Sequence, residues 1–414
     1  MPLPPSPRLS GPPLVASPVA GEGEGGGAGA VLRAVVRYGP LGRTALAGRT
    51  GLSPAAVSRH TAALAGLGLL RELPPPAGPP RAGRPQLLVD IDTTRHVALG
   101  VHIGVPWVTF ALVDLRGRVV AERRHVRQGD APEVLAGIRR RLPGFLAAHA
   151  RGRSPLGLGV VTGGWVDAES GTVVEHAPLG WRDVPVRRAL SGAAGGGVRL
   201  PVHLEGHARA LARAELLFGA GRGHSEIVHL FVGNVVDAAI TAGGTMLRGP
   251  RSGAGDVAHL PVPGGVARCS CGRHGCFQAA VSERVLARQA HADGLIAAPD
   301  FTLLLDRAET GDATALRLLR ERLRAVAHGV ALLLDVINPS VLVLTEAAVI
   351  RLPELLADVH REVAVRSHLA RDAAQVVVPT SFGRDVLGVA AGAAVLDAVY
   401  RGPMALRTVR RGPR

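Results

Sequence analysis

A chain of 414 residues, 47% of them hydrophobic, is long enough to bury a large core and to form two or three domains. Its net charge of +15 rests on arginine alone, because there is no lysine, and the abundance of Ala, Gly, Arg, Pro and Val is the bias of a GC-rich genome, so bulk basicity does not imply a nucleic-acid partner. Three cysteines exclude a disulfide scaffold, no signal-type segment follows the Pro-rich start, and the most apolar stretch, 325–344, is broken by His328, Asp335, Asn338 and Pro339; a soluble cytoplasmic protein that does not enter a membrane is expected.

Residues 1–27 carry too little apolar material to pack and are expected to be disordered. From Ala28 the pattern becomes helical: Val31, Leu32, Val35 and Val36 share a face, and Tyr38-Gly39-Pro40 ends the helix. A short helix over 43–50 follows, then a Gly51-Leu52 turn. Ser53 as N-cap and Pro54 as first helical residue start a third helix running to about Leu64. Val57, Thr61 and Leu64 point inward on that helix, which leaves Ala55, Ser58 and Arg59 outward near its N-terminus.

Helix, short helix, Gly-containing turn and helix form a helix-turn-helix, in which such outward positions reach base edges in a major groove. Residues 67–72 and 86–90 read as the strands of a wing, and 74–85, with Arg81 and Arg84, as its loop. Arginines on a mobile loop can follow a DNA backbone or enter a minor groove. Segment 28–90 is thus expected to be a winged helix-turn-helix, with Arg43, Ser53, Pro54, Ala55, Ser58, Arg59, Arg81 and Arg84 on double-stranded DNA; eight arginines against Glu72 and Asp90 make it locally basic. A helical interaction module with a solvated arginine face is the alternative. Residues 401–414 form a basic tail with five arginines and no acid.

From Arg95 the pattern is α/β. Strands are expected at 97–103, 107–114, 119–124, 156–161, 198–204, 226–232, 237–241 and 341–345, with helices at 132–149, 207–218 and 386–399 and a mostly helical stretch from the cysteines to Leu334. Two α/β lobes over 91–400 are the economical arrangement, the first spanning about 91–220 plus helix 386–400 and the second about 221–385. All the cysteines, Cys269, Cys271 and Cys276, lie ten to seventeen residues after His259 in a Gly-rich stretch. Three thiols and an imidazole make the ligand set of a closed tetrahedral zinc site, set against buried thiols or a disulfide with one cysteine left over.

The segments G-P-L-G-R-T-A-L-A-G-R-T-G-L-S-P-A-A-V-S-R (39–59), G-R-P (83–85), L-G-W (179–181) and H-L-P-V followed by C-S-C-G-R-H-G-C (259–276) resemble the ROK family of repressors, open reading frames and sugar kinases, in its transcriptional-regulator branch. The resemblance covers roughly 28–400. It implies a winged helix-turn-helix, mainly α, followed by an α/β two-lobed actin-like, ribonuclease H-like sugar-kinase fold, and Zn2+ on His259, Cys269, Cys271 and Cys276.

The family's catalytic motifs are altered. Its D-x-G-G-T phosphate cradle is here His102-Ile103-Gly104-Val105-Pro106, and its G-T-G-I-G-x-G loop is Gly233 to Ala239 with Asp237 inside it. The late G-G beside adenosine is Thr345-Glu346, and E-N-D-A-N is Glu205-Gly206-His207-Ala208-Arg209, so His207 stands at the position of the catalytic aspartate. A Cβ, a proline and a carboxylate all oppose phosphate binding. No catalytic residue is assigned, and the zinc is expected to be structural.

The expectation is therefore a DNA-binding regulator, a repressor, acting as a homodimer or homotetramer. Its kinase-like portion senses a sugar, a sugar phosphate or another small ligand through Gly206, His207, Asp256, His259 and Gln278. An active ATP-dependent sugar kinase and a regulator answering to a protein partner are the alternatives.

Overall fold

The computed structural model describes residues 14–15, 26–74, 87–192, 194–195 and 198–408. Arg81, Arg84 and nearly all of the expected wing loop, most of segment 1–27, and the end of the basic tail lie outside the described residues. Two short pieces of the terminal segments do pair: Leu14–Val15 lies antiparallel to Arg407–Thr408, which corrects the expectation that all of 1–27 is without structure. Backbone pairing of this kind needs no apolar core of its own.

Helix α1 (Gly27–Tyr38) buries Val31, Leu32, Val35 and Val36, and Gly39 ends it with a positive φ and an N–H bonded to Val35 O. Helix α2 (Arg43–Thr50) buries Leu46, and Gly51 closes it in the left-handed region. In α3 (Pro54–Gly66) the Ser53 side chain accepts from Ala56 N, and Val57, Thr61 and Leu64 are buried as their spacing predicts. Strand Leu88–Ile91 pairs antiparallel with Leu70–Glu72 on one side and with Leu41–Gly42 on the other, giving the three-stranded sheet of a winged helix-turn-helix. The third strand, between α1 and α2, was not apparent from the sequence because two residues show no periodicity.

The described residues fall into two compact units. The first holds everything up to Val161, Val186–Leu204 and the chain from Leu387 onward; the second holds Thr162–Pro185 and Glu205–Val386. In the first unit a five-stranded sheet runs in the order 202–206, 154–162, 96–103, 107–114, 119–126, with 96–103, 107–114 and 119–126 as antiparallel hairpins. Helix Val386–Arg401 crosses this sheet at close range. A Cβ on Gly100 would lie 2.7 Å from Ala391 Cβ, and one on Gly159 only 1.9 Å from Ala391 O, so glycine is required where helix and sheet meet.

The winged domain is fastened to the same unit. His96 Nε2 bonds Leu67 O at the end of α3 at 2.9 Å, Asp92 N bonds Leu69 O at 3.0 Å, and Arg33 Nη1 donates to Tyr400 O at 3.2 Å. Burial lowers the His96 pKa, the hydrogen bond to Leu67 O opposing it.

The second unit is built on a sheet in the order 245–246, 236–242, 227–232, 341–346, 377–379, antiparallel on one side of 227–232 and parallel on the other. Helices Phe301–Glu309, Ala313–Ile337 and Leu355–Arg366 cover one face in an extended apolar cluster. The expected break at residue 220 is corrected. Helix His207–Phe218 packs Ala208 and Ala212 against Ala239 and Phe231 and so belongs to the second unit, as does the small sheet formed by 165–167, 172–176 and 181–184.

The glycine contacts give a stability test. Gly159→Ala should destabilise the first unit by about 1–3 kcal/mol, because a backbone oxygen cannot move aside, whereas Gly144→Ala, in the exposed middle of helix Ala131–His149 with nothing within 4 Å, should stabilise by roughly 0.5–1 kcal/mol. Urea melts of the two variants read the opposite signs.

Candidate functional site

Three places carry chemistry. On α3, Ser53, Pro54, Ala55, Ser58 and Arg59 are all exposed, while the opposite face is anchored in the domain. Arg43 is placed differently from its neighbours: it is half-buried and its Nη2 pairs with Glu72 Oε1 at 2.6 Å at the base of the wing strands. It meets a phosphate only by releasing that carboxylate, an exposed pair worth at most about 1 kcal/mol.

In the second unit the chain from His259 to Cys276 doubles back on itself. Pro261 bridges Cys276, Arg268 bridges His274, and Gly275, with φ +73°, passes Gly265 so closely that a Cβ would lie 2.6 Å from Gly265 O. The turn brings His259, Cys269, Cys271 and Cys276 together, with one ligand atom of each within 4.8 Å of the others. Cys269 Sγ is 3.6 Å from His259 Nδ1, and Cys271 Sγ is 3.7 Å from Cys276 Sγ.

A tetrahedral ion holding thiolates at about 2.3 Å sets its ligand atoms roughly 3.7 Å apart, so two of the donor pairs already stand at that spacing and the rest lie within 4.8 Å. The Arg273 guanidinium, 3.5 Å from Cys271 Sγ, brings that thiol down to about 6, the thiolate form a metal needs. Donor chemistry and spacing both fit a metal ion.

Beside this cluster lies a cavity of about 280 Å³, lined by Gly206, Asp256, His259 and Gln278 together with Trp165, Arg209, Asp237, Ser252 and Cys271 among others. Four of the five expected ligand residues therefore share one space. His207 does not line it; its ring packs on Phe231 with centroids 4.6 Å apart. The sequence reading missed Arg209, which is buried and spans three segments: Nε donates to Glu205 Oε1 at 2.7 Å, Nη1 to Ser252 O and Nη2 to Val166 O at 2.8 Å each. Glu205 ends a strand and Arg209 lies in the first turn of the helix that follows, so no helical spacing rule signalled the pair. Burial raises the Glu205 carboxyl, but Arg209, Arg213 and Arg248 outweigh it and hold the group at about 2.

The positions of the kinase motifs are occupied by internal bonds. Gly104 N donates to Trp107 O at 2.9 Å, and Arg127 Nε takes Val105 O at 2.8 Å. In the second loop, Gly233 N goes to Val235 O, Val236 N to Gln278 Oε1 and Ala238 N to Gly255 O. At the third position Glu346 is fully buried, accepts from Val349 N at 2.7 Å and pairs with Arg322. A phosphate cradle needs free N–H groups; those of Gly233, Val236 and Ala238 already have acceptors.

The profile of the ROK family matches residues 98–397. The chain belongs to the ROK family. A transcriptional regulator of Mycobacterium bovis is 34% identical over 392 residues, covering 91% of this chain and 86% of its own. Among solved structures, a ROK transcriptional regulator described as a homologue of the E. coli Mlc protein aligns with a TM-score of 0.73 at 22% identity over 91% of this chain and 97% of its own. A ROK glucokinase from Streptomyces griseus, solved with glucose and AMPPNP, aligns with a TM-score of 0.64 at 24% identity over 73% and 99%. The fold is the actin-like two-lobed fold of these ROK proteins. Among the described residues no helix is long and apolar enough to cross a membrane.

Removing one donor tests the metal centre. Cys271→Ser should lower the metal content of the purified protein, read by inductively coupled plasma mass spectrometry, and lower its melting temperature. A variant with full metal content and unchanged melting would show that these residues do not form the centre.

Proposed function

We propose that the protein is a DNA-binding transcriptional repressor whose kinase-like portion holds a structural zinc ion and responds to a small ligand without transferring phosphate. The observation that carries this reading is the surface of α3. Its N-terminal residues Ser53, Pro54, Ala55, Ser58 and Arg59 are exposed in a winged helix-turn-helix, where a helix meets the edges of bases in a major groove. Arg59 is the residue suited to a guanine or a phosphate. The 34% identical relative is itself named a transcriptional regulator, which favours the same role here. Paired recognition helices imply a homodimer or homotetramer on an operator with two half-sites. Arg81 and Arg84 are proposed to follow the DNA backbone from the wing.

Zinc is the ion proposed for His259, Cys269, Cys271 and Cys276, because three thiolates and an imidazole select a borderline-soft cation and fill all four tetrahedral positions. A filled shell leaves no position for substrate, so the ion's role is to hold the Gly-rich turn in shape. The cavity beside it, with Gly206, Asp256, His259 and Gln278 on its wall, is the proposed effector site. Loss of kinase activity is supported by the internal bonds of Gly233, Val236 and Ala238 and by the buried Arg322–Glu346 pair.

Two measurements test this reading. Gel retardation with the protein's own upstream DNA should weaken by about tenfold or more in Arg59→Ala, the cost of one good base or phosphate contact; unaltered binding would remove α3 as the reading helix. A panel of hexoses with ATP should give no phosphorylation above background. Clear turnover that Arg209→Ala or His207→Ala abolishes would restore the kinase reading.

A further inference from the structure

The charges on the cavity wall do not balance. Arg209, the arginine that lines it, is spent on Glu205 and on two backbone carbonyls, and Glu175 is paired with Arg182 at 2.9 Å. Asp237 and Asp256 have no ion-pair partner among the described residues. Asp256 accepts the Ala258 N–H at 3.3 Å, while Asp237 Oδ1 is buried with no hydrogen-bond partner. Burial pushes the Asp237 carboxyl up to about 7, the Arg209 guanidinium and a hydrogen bond from the Ala208 backbone opposing this and Asp256 adding to it. A buried carboxyl compensated only in part is poised between its charged and neutral forms, and a cation arriving beside it favours the charged form.

Trp165 also lines the cavity and is fixed in place. Trp165 is held by its Nε1–H on Arg251 O at 2.9 Å and by the Arg251 guanidinium 5.2 Å over its ring. An aromatic face suits the C–H face of a pyranose, and His259 and Gln278 offer polar atoms for hydroxyls.

We propose that the cavity takes an amino sugar with a free, protonated amine, whose ammonium is neutralised by Asp237 and Asp256 while the ring lies against Trp165. The inference rests on the cavity being the effector site and narrows what that site admits. An ammonium supplies the two carboxyls with a positive charge in direct contact, where Arg209 acts on Asp237 only at longer range. A parent hexose or an N-acetylated sugar leaves them uncompensated, and a sugar phosphate brings further negative charge. Asp237 is thus a specificity-determining residue at a position where kinases of the family keep a glycine-rich phosphate loop.

Isothermal titration of the full-length protein with D-glucosamine, D-galactosamine and D-mannosamine, each beside its parent hexose, N-acetyl derivative and 6-phosphate, tests this. One aminohexose should bind roughly ten- to a hundredfold more tightly than its three counterparts, the range of a charge-assisted hydrogen bond. Asp237→Asn should bring that preference to within about threefold, and Asp256→Asn reads the same loss if the first variant does not fold. A parent, N-acetyl or phosphorylated sugar that binds at least as tightly as the amine overturns the inference and leaves the effector site standing. No binding by any member overturns both. An amine preference intact in the two variants removes these carboxylates from the role.

Discussion

The second unit is organised around a carboxylate that burial ought to neutralise and three guanidinium groups keep charged. Glu205, at the end of a strand, meets Arg209 at 2.7 Å, Arg213 at 3.3 Å and Arg248 at 3.7 Å. Removing one partner of such a network leaves a buried charge alone, so the pieces are held together by the cost of separation more than by the gain of contact. Arg209 then extends the network to the carbonyls of Val166 and Ser252. The Ser252 loop contains two consecutive non-glycine residues with positive φ, Arg251 at +50° and Ser252 at +56°. A strained loop of this kind persists only when its surroundings over-determine it, and here the Arg209 bond and the Trp165 contact do so. The cavity is preformed as a result.

The same region in a kinase would hold a nucleotide and a sugar in reach of a catalytic aspartate. In this chain backbone groups of the stretches read as altered phosphate loops make internal bonds. Val236 N–H goes to Gln278, which lines the cavity, and Glu346 serves as a helix cap and as the partner of Arg322. The cluster of His259, Cys269, Cys271 and Cys276 stands on the turn where Gly265 and Gly275 pass each other.

Much of this was legible in the sequence, where a local rule governs the outcome. The three N-terminal helices follow from Val31, Leu32, Val35 and Val36 on one face and from Ser53-Pro54 at a helix start; the cysteine–histidine cluster follows from ligand count and spacing. What escaped depended on distant partners. Strand 202–206 lies later than the expected 198–204, and strands 41–42, 165–167 and 377–379 are too short to show alternation. Helix 207–218 was assigned to the first lobe because chain order gives no sign that Ala208 and Ala212 will meet Ala239. His207 was placed in the ligand site by its motif position, yet Phe231 holds its ring elsewhere, and Arg209, two residues on, proved to be the structural centre of that site.

The central claim is that this chain reads DNA through α3 while its kinase-like portion serves regulation. The most direct measurement is immunoprecipitation of the epitope-tagged protein with its cross-linked DNA from the native cell, followed by sequencing. Discrete enriched sites that share an inverted repeat, and that vanish when residues 54–66 are deleted, are the result the account predicts. Recovery of DNA no different from an untagged control would contradict it.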